Sequence, residues 1–190
     1  LAGSSVTYHT GCPVLDPGTV LEGFDRYKPS SATQEETDRW REEARKAAEE
    51  ADVVVMPLGE HCFQSGEAAS RAFIEIPKIQ QDLFRAVSEV NPNVVAVVFS
   101  GRPLDLRVIS ERARAVLSVW MPGMEGGRAI IDVLTGTRTP SGKLPMSFPY
   151  CVGQVPVHYD SLMTGRPYRK GKPERYVSRY QDLSLMHISE

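Results

Sequence analysis

The sequence predicts an α/β fold: a doubly wound, mostly parallel sheet flanked by helices, followed by a long C-terminal segment rich in proline, glycine and aromatic residues. Two observations carry this. Three apolar runs of strand length, Val53–Leu58, Val94–Phe99 and Ala115–Trp120, alternate with stretches of helical periodicity. After Thr137 the texture changes to Pro- and Gly-punctuated sequence with scattered aromatics. Strands that alternate with helices imply βαβ crossovers and therefore a parallel sheet.

Taken in order, Ser4 to Thr10 reads as a short strand and Gly11 to Ser31 as a loop, punctuated by Pro13, Pro17, Gly18, Gly23 and Pro29. Thr33 to Ala51 reads as a helix. Thr33 is a plausible cap, Glu35 and Glu36 suit the first turn, and Ala44, Ala47, Ala48 and Ala51 supply a small-residue face. Val53–Leu58 is continuously apolar, as expected of a parallel strand covered on both faces. Pro77 opens a second helix through Val90, with Ile79, Leu83, Ala86, Val87 and Val90 on one side. Val94–Phe99 and Ala115–Trp120 are the next strands, and Glu125–Leu134 a third helix closed by Gly136. The division expected is a domain over 1–150, incomplete at its N-terminus, and an extended segment over 151–190 that leads toward a missing following domain.

Composition excludes several classes. A chain of 190 residues, 41% hydrophobic and 24% charged, is long enough to bury a real core. A net charge of -2 gives no electrostatic case for nucleic acid or an anionic membrane. No apolar run approaches the roughly 20 residues that span a bilayer. Leu1–Ser5 lacks the features of a signal peptide and reads as an internal cut through a longer chain. Cys12, Cys62 and Cys151 form no CxxC pair, so neither a disulfide scaffold nor a zinc site is indicated. Gly123-Met124-Glu125-Gly126-Gly127 lacks the dinucleotide fingerprint. No metal and no cofactor is expected.

The most informative stretch is Gly59–Arg71, GEHCFQSGEAASR, directly after the first apolar run. It places Glu60 and Glu67 in a Gly- and Ser-containing loop at the carboxyl end of a strand, where open α/β sheets bind ligands. A carboxyl group there is a candidate acid or base, although solvated loop acids are the commoner outcome. Cys62 could be mistaken for a nucleophile, but its only nearby base is His61, and adjacent side chains do not easily turn inward together.

This loop resembles the acid/base loop of glycoside hydrolase family 3, which holds β-glucosidases and β-xylosidases. The resemblance continues through Ile76-Pro77, Ser100-Gly101-Arg102-Pro103-Leu104, Trp120–Gly127, Pro140–Pro149, Val152–Pro156 and Thr164–Tyr168, in order, over roughly Val6 to Tyr180. The order and spacing are similar to the periplasmic β-glucosidase branch, which implies a periplasmic or secreted location. The resemblance assigns the general acid/base to Glu67, within Ser65–Arg71, with Glu60 as the alternative. Ser70 and Arg71 would be supporting or substrate-binding groups. An equally open reading pairs Arg71 with Glu67 at i, i+4. Such a pair would favour the charged carboxylate, the wrong direction for a proton donor.

Glycosidases commonly need two carboxyl groups. The resemblance places the second, an aspartate nucleophile, on a preceding (β/α)8 barrel of the same parent chain. A barrel typically takes about 250 residues, so this chain cannot contain it. The expected partners are that barrel and a β-glucoside or related oligosaccharide substrate, and the chain alone is expected to be inactive. Gln181–Glu190 does not continue the family pattern. Two other readings compete: a non-catalytic carbohydrate-binding α/β module, and an unrelated flavodoxin-like binding domain, which the absence of a phosphate-cradling glycine loop disfavours.

Overall fold

The computed structural model describes residues 3–158, together with 160, 165, 166 and 176. Tyr159, Tyr168, Tyr180, most of Thr164–Tyr168 and the whole of Gln181–Glu190 lie outside the described residues. Three parallel strands form an open sheet in the order β1 (Val54–Gly59), β2 (Val94–Phe99) and β3 (Ala115–Trp120). Helices α1 (Gln34–Glu50), α2 (Lys78–Val90), α3 (Arg107–Ser110) and α4 (Gly126–Leu134) accompany them. The α/β class and the parallel sheet are as expected.

Local chemistry explains the helix boundaries. Thr33 and Glu36 form a reciprocal capping box at the start of α1: the Glu36 N–H donates to Thr33 Oγ1 at 3.2 Å, and the Thr33 N–H donates to Glu36 Oε2 at 2.8 Å. The Thr33 N–H and then the Thr33 hydroxyl, both bonded to Glu36 Oε2, hold the Glu36 carboxyl below its ordinary range. The other end of α1 is closed from a distance. Asn91 Nδ2 donates to the carbonyls of Ala48 and Ala51 at 2.8 and 2.7 Å, satisfying acceptors that a helix end leaves open. Pro77 sits at the N-cap of α2 and has no side chain able to cap it. Asp16 does so instead, accepting from the Lys78 and Ile79 N–H groups at 3.2 and 2.9 Å and pinning the Gly11–Ser31 loop to the helix. Gly136, at φ 74°, ends α4 in the left-handed region.

The core lies where α1 and α2 pack on each other and on one face of the sheet. Phe84, Leu83 and Val87 of α2 meet Met56 and Leu58 of β1, Ala96 of β2, and Ile76 and Leu104 from the loops. Full burial of such side chains contributes about 1.5–3 kcal/mol each. The central strand β2 is buried along nearly its whole length, as its apolar run predicts.

Two expectations fail, for related reasons. Val53–Leu58 was expected to be covered on both faces, yet Met56 and Leu58 point into the core while Val53 and Val55 are exposed. β1 is an edge strand here, and its second face has no covering element among the described residues. Ser4–Thr10 forms no strand: Val6 and Tyr8 are 91% and 86% exposed. A strand exists only through pairing, and the described sheet offers this segment no ladder. The single-turn helix α3 was too short to show a period. At the start of the C-terminal segment, Phe148 rests 5.7 Å from Trp120, and Arg107 stacks over Tyr150 at 5.2 Å.

Phe84, fully buried, sets the first test. Phe84→Ala should lower stability by about 3–5 kcal/mol in urea unfolding, whereas Thr33→Ala should cost only about 1 kcal/mol. Similar small losses for both would show that Phe84 does not anchor the core.

Candidate active site

The site is built where β1 and β2 end flush, at their carboxyl ends. Gly59 closes β1 at φ 148°, and a Cβ there would fall inside the backbone of Phe99. Only glycine permits that approach. Gln80 of α2 seals the outer side of the same residue: its Oε1 accepts from the Gly59 N–H at 2.7 Å and its Nε2 donates to the Gly59 carbonyl at 2.9 Å. The ladder continues one step further, with the Glu60 N–H donating to the Phe99 carbonyl at 2.9 Å.

That extra step turns Glu60 inward. Its side chain is 0% exposed and lies between two guanidinium groups. Oε1 accepts from Arg71 Nη1 at 2.8 Å and lies 3.1 Å from Arg102 Nε, an ion-pair contact without hydrogen-bond alignment. Oε2 accepts from the Gly101 N–H at 3.2 Å. The outer ends of both arginines reach backbone carbonyls. Arg71 Nη2 donates to Glu75 at 3.1 Å, and Arg102 Nη2 donates to Ala69 at 2.8 Å and to Gln64. The loop 60–71 is thereby closed at its base by Glu60–Arg71 and laced to the end of β2 by Arg102. Gly101 lets Ser65 pack directly against it, since a Cβ there would overlap the Ser65 side chain.

Within the loop, Cys62–Gln64 forms a single 3-10 turn capped by His61, whose Nδ1 accepts from the Phe63 N–H at 3.2 Å. Phe24 stacks on Phe63 at 5.0 Å and Tyr27 meets His61 edge-on at 5.0 Å. A second turn follows, closed by the Ala69 N–H donating to the Gly66 carbonyl at 3.3 Å, with Ala68 at φ 58°. Few non-glycine residues adopt that left-handed conformation. Glu67 rides on this turn, exposed, and its carboxylate makes no hydrogen bond or ion pair among the described residues. Ser70, three residues further on, is exposed as well.

The two glutamates therefore separate sharply. The expected possibility of a Glu67–Arg71 pair is corrected: Arg71 turns to Glu60. The picture of Glu60 as an ordinary loop acid is corrected too, because it is sealed inside the protein. Its direction was readable, since Met56, Leu58 and Glu60 share one face of a period-2 strand. Arg102 was missed as a site residue, although Val98, Ser100 and Arg102 continue the same alternation from β2. Cys62 lies 3.8 Å from His61 Nδ1, but that nitrogen already accepts from the Phe63 N–H, so it is not available as a base. Among the described residues no group of three or more His, Cys, Asp or Glu side chains gathers to hold a metal.

A parallel sheet with a carboxylate presented on a loop at the carboxyl ends of its strands is the arrangement of an α/β domain that serves a ligand at that edge. Comparison with known proteins gives the family. The glycosyl hydrolase family 3 C-terminal domain matches residues 3–181. A periplasmic beta-glucosidase of Salmonella typhimurium is 41% identical over 181 residues, covering 95% of this chain and 24% of that protein. A beta-xylosidase of Formosa agariphila is 39% identical over 117 residues, 62% of this chain and 16% of the relative. Among solved structures, the Listeria innocua beta-glucosidase in complex with gluconolactone matches with a TM-score of 0.71 and 42% identity, over 81% of this chain and 21% of that one. The chain belongs to glycoside hydrolase family 3, matching its C-terminal domain, and spans about a quarter of the length of the Salmonella relative.

The cysteines give a test of this geometry. Burial pushes the Cys12 thiol up to about 12, with Asp16 adding to the rise and Arg41 opposing it. Folding then binds that proton more tightly, so its contribution to stability is present at neutral pH and is lost as pH climbs from the ordinary thiol range of about 8.5 toward 12. Cys62 is exposed. Iodoacetamide at mildly alkaline pH should alkylate Cys62 readily and Cys12 only after denaturation, by peptide mass spectrometry. Prompt labelling of native Cys12 would contradict its placement.

Proposed function

We propose that this chain is the acid/base-bearing domain of a retaining β-glucosidase-like enzyme that hydrolyses O-glycosyl bonds of β-glucosides or related oligosaccharides. Glu67 is the general acid/base. The observation that carries this reading is its position: an exposed carboxylate, unpaired among the described residues, on a turn at the carboxyl ends of the strands, within a chain that belongs to this family. Glu60 is the weaker alternative, because a side chain with 0% exposure and both oxygens occupied has no route to a glycosidic oxygen. Arg71 supports the loop through Glu60, and Ser70, exposed three residues on from Glu67, can meet a substrate hydroxyl.

In this reading Glu67 donates a proton to the leaving-group oxygen while a nucleophilic carboxylate attacks the anomeric carbon. It then takes a proton from the water that releases the sugar. The nucleophile, an aspartate, belongs to a (β/α)8 barrel of the same parent chain, a partner for the open edge on which Glu67 stands. The proposed division is a domain over 1–150 followed by a C-terminal segment over 151–190. A periplasmic or secreted location is part of the proposal, supported by the periplasmic relative.

Two outcomes test it. The purified chain should release no nitrophenol from aryl β-glucosides, since one carboxyl group offers acid assistance but no covalent partner. Turnover abolished by Glu67→Gln would overturn that. In the parent enzyme, Glu67→Gln should depress hydrolysis of alkyl glycosides by roughly 10²–10⁴-fold and of activated aryl glycosides far less, because an acidic leaving group needs no proton. Equal losses on both classes would remove Glu67 from the role.

A further inference from the structure

We infer that Glu60, Arg71 and Arg102 form a positioning clamp, whose task is to hold the turn that carries Glu67, and that Glu60 and Arg102 therefore set proton donation without touching the substrate. This rests on the reading of Glu67 as the donor. The geometry that points to it is the way three side chains tie four places on the chain. Glu60 leaves the end of β1, Arg71 closes the far end of the loop onto it, and Arg102 arrives from the loop after β2. Arg102 also grips the loop's interior, at the carbonyls of Gln64 and Ala69. Ala69 is the residue whose N–H closes the turn bearing Glu67. One guanidinium thus links the buried carboxylate to the turn itself.

Stability alone does not account for this arrangement. Desolvating charged groups offsets most of what their attraction supplies, so buried ion pairs are weak devices for stability and better ones for fixing a single conformation. The side chains of Arg71 and Arg102 are 20% and 22% exposed and that of Glu60 0%. Two guanidiniums share one carboxylate, and their Nη2 groups donate to main-chain carbonyls of Gln64, Ala69 and Glu75. Every one of those acceptors lies in the loop or just beyond it. The planar guanidinium presents several donors in a fixed fork, which an ammonium cannot do. Disturbing it moves Glu67 without changing its chemistry, and a displacement near 1 Å can cost on the order of 10²-fold in rate.

The test uses the parent enzyme with Arg102→Lys, Glu60→Gln and Glu67→Gln. Arg102→Lys keeps a positive charge beside Glu60 and loses the fork, so it is the variant suited to remain folded. Hydrogen exchange followed by mass spectrometry reads the order of residues 61–70. The dependence of kcat/KM on leaving-group acidity reads proton donation. Arg102→Lys and Glu60→Gln should both speed exchange in 61–70, leave the peptides of β2 and α2 protected, and depress alkyl glycosides on the order of 10²-fold with activated aryl glycosides little affected. Unchanged exchange in Arg102→Lys overturns the clamp. Faster exchange with an unchanged leaving-group dependence overturns the positioning role. A selective loss in Glu60→Gln with the loop still ordered would make Glu60 the donor itself. If Glu67→Gln shows no leaving-group selectivity, the donor assignment fails on its own, and the exchange data still decide the clamp.

Discussion

Everything at this site hangs from the close approach of Gly59 to Phe99. Two parallel strands that end flush, one in a residue without a side chain, allow the ladder to run one residue past the strand. That additional step decides which way Glu60 faces. With Glu60 inward, the arginines have a common buried acceptor, and the loop between them has a fixed base. A backbone contact thus selects which glutamate meets solvent.

The fold was legible where chemistry is local. β2 and β3 follow their apolar runs to the residue, the capping box at Thr33 and Glu36 stands in the sequence as T-x-x-E, and Gly136 ends α4 where a left-handed residue is required. Partnership was less legible. Nothing near Pro77 announces that its helix is capped by Asp16, or that Asn91 closes the helix ending at Glu50. Val53–Leu58 and Ser4–Thr10 were over-read for the same reason: an apolar run shows what a segment is suited to bury, and its neighbours decide whether it does. The site divides in the same way. Family resemblance singled out Glu67, and strand alternation through Met56 and Leu58 pointed Glu60 inward. That two arginines, from the end of the loop and from beyond β2, close on Glu60 and leave Glu67 exposed is set only in three dimensions.

The aromatic cluster beside the loop adds a second hold on it. Phe24 and Tyr27 come from the long loop that Asp16 fastens to α2, and they contact Phe63 and His61. The loop is therefore held by polar contacts from Arg102 and by ring contacts at Phe63 and His61. Offset-stacked and edge-on pairs contribute about 0.5–1.5 kcal/mol each beyond their area. Ala68 retains its left-handed backbone in this setting, strain that is sustained when the surroundings over-determine a conformation.

The bidentate grip of Gln80 on Gly59 has a consequence for the sheet as a whole. At the two ends of β1, Val54 donates its N–H to Asn93, just ahead of β2, and Glu60 donates to Phe99 of β2, so the alternate residues Val55, Pro57 and Gly59 turn their main-chain groups to the outer edge. On that edge Pro57 has no hydrogen to give, and Gly59 is already occupied by an amide that imitates a neighbouring peptide. Any strand that extends the sheet on this side can pair only ahead of Pro57. It must turn away before the carboxyl end, which stays clear for the loop. The edge carries its own stop signal, written in one missing hydrogen and one side-chain amide, and it limits how far the sheet can grow toward the site.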